Sequence, residues 1–302
     1  MLWIIVILFL LRIDFSYPYY SLDDAMNTPL NVTNFKSYFA ICAIVKNEPD
    51  IREWVRYHYK LGVGKFYIRD NGAHPVTPVL EDFIRRRIVE VEHYRGKGLQ
   101  LHAYHDCLRK FRTFHHFIAF IDADEFIVTK NSCSIPSILR RYEKYGALTL
   151  NWMMFGSSGL LHHPKSVIQS YYNCHQHDHI KSVVNTMYGI SHYGNPHQFR
   201  YSHNKFAVDT DFLRVDGFAN IPRPSLYETM YLNHYHLKSK EDFERNRKRG
   251  FADYNEISVK DEEYFKAVDK LCNQNCSFLQ IQKTFAKDCP LSLFGTRPIS
   301  LD

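Results

Sequence analysis

The sequence has no Gly-x-Gly-x-x-Gly and no Walker phosphate loop after its first apolar strand pattern, which argues against a dinucleotide dehydrogenase or a P-loop enzyme. It has no internal repeat and no low-complexity linker. It also lacks a membrane-length apolar run at its start: Leu2 to Leu11 is ten unbroken apolar residues closed by Arg12, where a spanning helix needs roughly 20. Nor is there a strong excess of one charge. The 38 Lys and Arg against 32 Asp and Glu leave a formal +6, mostly interspersed, which suits anionic ligands and is poor support for a nucleic-acid binder. The densest basic run, Glu244 to Arg249, is interrupted by an acid and an amide and reads as a solvated helix face.

What is there points to a secreted or lumenal globular protein. Hydrophobic residues make up 45% and aromatics 15% of the 302 residues, enough for a sizeable core. The Leu2–Leu11 run reads as a signal-peptide core. It lacks preceding basic residues and a following small-x-small cleavage site, so a short uncleaved signal anchor stays open as the alternative. Either reading predicts entry into the secretory pathway, with the Golgi or ER lumen as the destination, membrane-anchored or secreted. Sequons at Asn31-Val32-Thr33 and Asn275-Cys276-Ser277 agree with that. Seven cysteines permit up to three disulfides. Cys42 and Cys107 are expected as buried free thiols. Cys272, Cys276 and Cys289 crowd a tail that a disulfide would staple, with a zinc site as the lesser alternative.

From Tyr38 onward, apolar strand patterns alternate with helical ones. Strands are predicted at Tyr38–Val45, Lys65–Ile68, Ile88–His93 and Phe117–Ile121. Helices are predicted after Asp50 as N-cap, over Pro78–Arg87 and over about Leu99–Phe111. Such spacing makes a parallel sheet with right-handed crossovers, a Rossmann-like α/β fold. A helix over Ser137–Tyr145, a strand over Leu148–Phe155 and a charged helix near Ser239–Lys248 are expected to pack on the same sheet.

Ligands of such sheets bind outside the carboxyl ends of the strands. Three polar clusters fall there: Lys46-Asn47-Glu48, Asp70-Asn71 and Asp122-Ala123-Asp124-Glu125. In an extended tip, alternate side chains share a face, so Asp122 and Asp124 present two carboxylates to one side. Hard cations such as Mn²⁺ or Mg²⁺ take such oxygens and bridge phosphates. The plain alternative is a turn in which the aspartates cap following amides.

The ordered motifs carry a resemblance. CAIVKNEPDIREWVRYHYKLGVGKFYIRDNG (Cys42–Gly72), FIDADEFIV (Phe120–Val128), NWMMFGSSG (Asn151–Gly159), HIKSVV (His179–Val184) and LNHYHLKSKEDFERNRKRG (Leu232–Gly250) together resemble glycosyltransferase family 92 and related family 2-like enzymes, in the same order. The resemblance implies a GT-A fold, a metal ion (Mn²⁺ or Mg²⁺), and transfer of a hexose, galactose foremost, from a nucleotide-sugar, UDP-linked by preference, to a glycan acceptor with inversion. On that reading Lys46, Asn47, Glu48 and Asp70 line the base and ribose pocket. Asp122 and Asp124 hold the metal on the donor diphosphate, Glu125 orients a ligand, and His234 or His236 completes the metal site. Lys181 and Lys238 neutralise phosphate charge. The loop Phe155–Gly159 lies beneath the acceptor, and Trp152, Tyr171 and Tyr172 either stack on sugars or fill the core. The general base stays unassigned among Asp209, Asp211, Asp216 and Glu228. The implied layout is a leader at 1–16, a stem at 17–37, a single GT-A domain over 38–255 and an extension at 256–302. A non-catalytic glycan-binding protein on the same scaffold is the main competing reading. A metal-dependent nucleotidyltransferase or phosphohydrolase would more often show a nucleophile or a second acidic cluster, and neither is present.

Overall fold

The structure, a computed structural model, describes residues 36–130, 132, 134–192, 194–249 and 260–276. The expected leader, all of the stem before residue 36, the Asn31 sequon, Cys133 and Cys289 lie outside the described residues. Among the described residues no helix is long and apolar enough to cross a membrane.

β1 (Ser37–Val45), α1 (Ile51–Lys60), β2 (Lys65–Asp70), α2 (Glu81–Arg85), β3 (Val89–His93), α3 (Gln100–Phe111) and β4 (His115–Phe120) follow the alternation read from the sequence. Then come β5 (Glu125–Thr129), α4 (Ile135–Leu139), β6 (Ala147–Phe155), α5 (Val167–Ser170), β7 (Asn173–Asn185), β8 (Gly189–His192) and β9 (Phe199–Tyr201). β10 (Ala207–Val208), β11 (Arg214–Val215), β12 (Met230–His234), α6 (Lys240–Arg249), α7 (Glu262–Leu271) and β13 (Gln274–Asn275) complete the described chain.

β3, β2, β1 and β4 are parallel neighbours. β7 then runs antiparallel between β4 and β6, and β10 and β12 lie parallel to β6. β5 hangs antiparallel on the far side of β12. The result is the mixed, mostly parallel α/β sheet flanked by helices that the sequence indicated. Side chains of β1 show why both faces are covered. Phe39, Ile41, Ala43 and Val45 enter the core with Trp54 and Val55 of α1, whereas Ala40, Cys42 and Ile44 meet Ala103, Tyr104 and Cys107 of α3 on the other face. Every second residue of a strand faces the same way, so a doubly covered strand must be apolar throughout.

That alternation also corrects the cysteine expectation. Cys42 points at α3, where Cys107 waits, and the two form a disulfide rather than standing as free thiols. Cys174 and Cys276 form a second one, which ties the segment after α7 to β7. Cys272 is a buried free thiol, and the pairing of Cys276 removes it from any zinc site with Cys272 and Cys289. Two local expectations shift as well. The helix expected over Ser137–Tyr145 is split into α4, begun two residues earlier with Pro136 in its first turn, and a 3₁₀ turn at Arg140–Tyr142. Asp50 stands at the N-cap of α1, but its carboxylate makes no cap bond and reaches Lys238 instead.

Candidate active site

Among the described residues the acid strand β5 has a strand neighbour on one edge only, β12. The other edge is bonded by side chains of α1. The Trp54 indole N–H donates to the Glu125 carbonyl at 2.7 Å, and the Tyr57 hydroxyl donates to the Ile127 carbonyl at 2.8 Å. The Ile127 amide donates to His58 Nε2 at 3.0 Å. With Nε2 accepting, the ring proton sits on Nδ1 and is directed at the Trp54 carbonyl at 2.9 Å. Burial drives the His58 pKa down to about 3, so the imidazole is neutral as this arrangement requires.

The turn between β4 and β5 folds on its own acids: the Asp122 amide donates to Glu125 Oε2 at 2.8 Å. Asp122 is then fixed from three sides. Gln100 Nε2 (2.7 Å) and the Tyr104 hydroxyl (3.0 Å) from α3 donate to Oδ1, and Lys181 Nζ from β7 reaches Oδ2 at 2.7 Å. Lys181 also lies 3.7 Å from the fully buried Glu125. Even so, burial pushes the Glu125 carboxyl well above the usual range, and Lys181 only partly offsets it.

Asp124 is held differently. Its Oδ1 lies 3.7 Å from His234 Nε2, too long for a direct hydrogen bond. Burial would raise this carboxyl, but its interactions with His234 and then with the Lys238 ammonium hold it below the ordinary range. His234 ends β12, paired with Glu125 on one side and Met154 on the other, and its Nδ1 is buried without a partner. A carboxylate and an imidazole facing each other just beyond hydrogen-bond reach fit a shared divalent cation. His236 is turned away to the Tyr264 hydroxyl (2.7 Å) and Lys260 (3.1 Å), so His234 rather than His236 joins the acids.

The remaining expected donor-site residues converge on the same edge, mostly as partners of one another. Lys238, in a left-handed backbone conformation, is buried with Nζ 2.6 Å from both Glu48 and Asp50. Burial opposes its charge, but those two carboxylates raise its pKa and keep it an ammonium. Asp50 also faces His163 at 3.3 Å, whose Nδ1 reaches Asp242 at 2.9 Å. Asp70 accepts from the Gly72 (3.0 Å) and Val76 (2.9 Å) amides, and Asn47 Oδ1 accepts from the His74 amide (3.1 Å). A Cβ on Gly72 would lie 2.6 Å from that Asn47 oxygen, so only glycine lets the two loops approach. Lys46 offers its carbonyl to Arg249.

The four base candidates are all engaged. Asp209 accepts from the Asp211 and Leu213 amides, Asn220 and Arg223. Asp211 takes Arg223 and Ser225. Asp216 pairs with Arg214, and Glu228 with Lys130. In the expected acceptor loop, Ser158 takes up the amides of Tyr172 and Asn173.

Sequence reasoning missed Gln100, Tyr104 and His163, whose types and spacing carry no motif. It also missed a nest of rings around Trp152: His234 at 4.2 Å between centroids, His179 at 5.2 Å, His197 at 5.6 Å and His177 at 5.7 Å. Burial, then the nearby Lys181, lowers His197 to about 3; burial, then His179, lowers His177 to about 4.

Three comparisons bear on this edge of the sheet. A glycosyltransferase family 92 protein of rice (Oryza sativa subsp. japonica) is 28% identical over 141 residues, 44% of this chain and 24% of that one. The galactan beta-1,4-galactosyltransferase GALS2 of Arabidopsis thaliana is 30% identical over 118 residues, 35% of this chain and 23% of that one. The chain thus spans about a quarter of the length of these curated relatives. Among solved structures, S. aureus TarS 1-349 in complex with UDP aligns at 13% identity and a TM-score of 0.32, covering 45% of this chain and 40% of that one, a loose likeness from which nothing follows about a ligand. The sequence profile of glycosyltransferase family 92 matches residues 37–262, which include every strand and acid of the site described above, and on that match the chain belongs to glycosyltransferase family 92.

Proposed function

We propose that the protein is a metal-dependent, inverting glycosyltransferase that moves a hexose, galactose foremost, from a UDP-sugar to a glycan acceptor. The observation that carries this reading is the pairing of Asp124 with His234 across a cation-sized gap, beside an Asp122 already locked by Gln100, Tyr104 and Lys181. Family membership and the galactosyltransferase among the relatives support the sugar-transfer chemistry. In this scheme Asp124 and His234 hold Mn²⁺ or Mg²⁺, which when bound supplies Lewis-acid stabilisation of the leaving diphosphate. Asp122 contributes through its fixed carboxylate, and Asp70, Asn47 and the Gly72 loop shape the nucleoside end. Lys181 and Lys238 act on the donor through the acids they neutralise. The two disulfides among the described residues support an oxidising, secretory-pathway location, and Asn275 of the second sequon is exposed.

The test is calorimetric titration of the purified chain with UDP in Mn²⁺, repeated in EDTA and with Asp124→Ala. Binding that requires both the metal and Asp124 supports the proposal and directs a screen of UDP-hexoses. Folded protein that ignores UDP, GDP and CDP defeats it in favour of a glycan-binding protein without transfer activity.

A further inference from the structure

β6 and β7 do not pair evenly. Asn151 faces Ile180 and Met153 faces Gln176, so Trp152 alone on β6 stands opposite His177, Asp178 and His179 on β7. In a regular strand Asp178 would point away from its two neighbours. In this bulge the three side chains converge instead: His177 Nδ1 lies 3.2 Å from Asp178 Oδ1, and His179 Nδ1 lies 3.0 Å from the same oxygen. All three ligand-capable atoms fall within 4.8 Å of one another.

The backbone around them is pinned. The Ile180 amide donates to the Phe218 carbonyl at 3.2 Å and the Asn220 amide to the Asp178 carbonyl at 2.7 Å, with a bridge from His179 to Ala219 between them. The His179 ring stacks on Trp152 at 19° and is flanked by Phe218, so its rotamer is set by packing. Asp178 is exposed, which leaves the group open to solvent on one side.

We propose that this bulge is a binding site for a borderline divalent transition metal ion, of which Zn²⁺ is the representative, separate from the acid-rich donor site. Two imidazoles and one carboxylate at bond lengths of about 2.0–2.2 Å form a common zinc donor set, and three protein ligands leave a further position for water or a substrate atom. Mn²⁺ and Mg²⁺ prefer oxygen-rich sets, so two imidazoles and one carboxylate favour Zn²⁺ over them at the bulge. The lone pair of His177 Nδ1 is now met by the His179 amide at 3.2 Å, and the ion takes the place of that contact.

The experiment is titration of the full chain, stripped with chelator, with Zn²⁺ followed by calorimetry, on the wild type and on Asp178→Asn, His179→Ala and Asp124→Ala. We expect one Zn²⁺ site in the wild type that is weakened at least ~10-fold by either bulge substitution, since even a hydrogen-bond partner of a ligand is worth about 10–100-fold. Asp124→Ala is expected to leave that site intact. Should His179→Ala fail to fold, Asp178→Asn decides, because its side chain is exposed. Folded wild type that takes up no Zn²⁺, Zn²⁺ binding unchanged by the bulge substitutions, or loss of the site in Asp124→Ala would each overturn the proposal. UDP binding with Mn²⁺, measured on the same variants, keeps this outcome apart from that of the sugar-transfer reading.

Discussion

Trp54 and Trp152 lie on opposite sides of the β5–β12 pair, and their indole nitrogens are used in opposite ways. Trp54 donates to the backbone of the acid strand and is buried against His58 and Phe66. Trp152 sits among four imidazoles, and its buried N–H has no hydrogen-bond partner. At the acid end most polar groups hold a carboxylate or a strand edge in place, while Oε1 of Glu125 and Oε1 of Gln100 are buried without a partner. Beside Trp152, Nδ1 of His177, His179 and His197 is bonded, and His234 Nδ1 is the unpaired ring nitrogen next to the unpaired indole N–H. Buried polar atoms are paired in most folded proteins, so the unpaired ones near the acids and beside Trp152 mark where a ligand is expected to supply partners.

The largest effect should come from Lys181, the buried counter-ion of the acid end. Lys181→Met leaves Asp122 and the buried Glu125 without their cation, and we expect about 3–5 kcal/mol lower stability in urea unfolding. A loss under about 1 kcal/mol would mean that this pair behaves like an exposed one and does not hold the acid end together. Next is the pH dependence. His58 has a folded pKa of about 3 against an ordinary value near 6.5. Between those values the unfolded chain binds the extra proton, so stability rises with pH across that window and falls as pH drops below about 6.5. On the order of 2 kcal/mol should be lost from His58 between pH 7 and pH 5, and His58→Gln should flatten that part of the unfolding profile. The smallest effects test the tryptophans directly. Trp54→Phe strands the Glu125 carbonyl and should cost about 1–3 kcal/mol. Trp152→Phe removes an N–H that bonds to nothing and should cost under about 1 kcal/mol in thermal melting. Equal costs would erase the contrast.

The parallel half of the sheet was legible because each strand is a short apolar run and each crossover an amphipathic helix. Asp122 and Asp124 drew attention because they end such a run on the side of the sheet where the other polar clusters also fall. The partners of these acids were not. Lys181 is 59 residues from Asp122, and Lys238 is 190 and 188 residues from Glu48 and Asp50. Nothing local marks such pairs, and both lysines read as phosphate ligands when each is first of all the counter-ion of a carboxylate. The cluster at His177–His179 was hidden for another reason. Strand periodicity assigns neighbours to opposite faces, and only the register against Trp152 shows that this stretch departs from it. Cys42 and Cys107 show the same limit in reverse: each was correctly read as buried, but the strand-to-helix contact that joins them is a property of the packed layers.

The side chains of α1 along β5 also set a dimensional rule. Trp54, Tyr57 and His58 sit at i, i+3 and i+4, a rise of about 4.5–6 Å along a helix. The groups they grip belong to Glu125 and Ile127, about 6.8 Å apart along a strand. One turn of helix therefore serves as a ruler for two residues of strand. A residue inserted or deleted inside either segment breaks the match and shifts the acids along the sheet edge, whereas length changes in the loops between residues 60 and 120 leave it untouched. Homologous chains that keep this site should vary in length in the loops between the helix and the strand and hardly ever within the two segments.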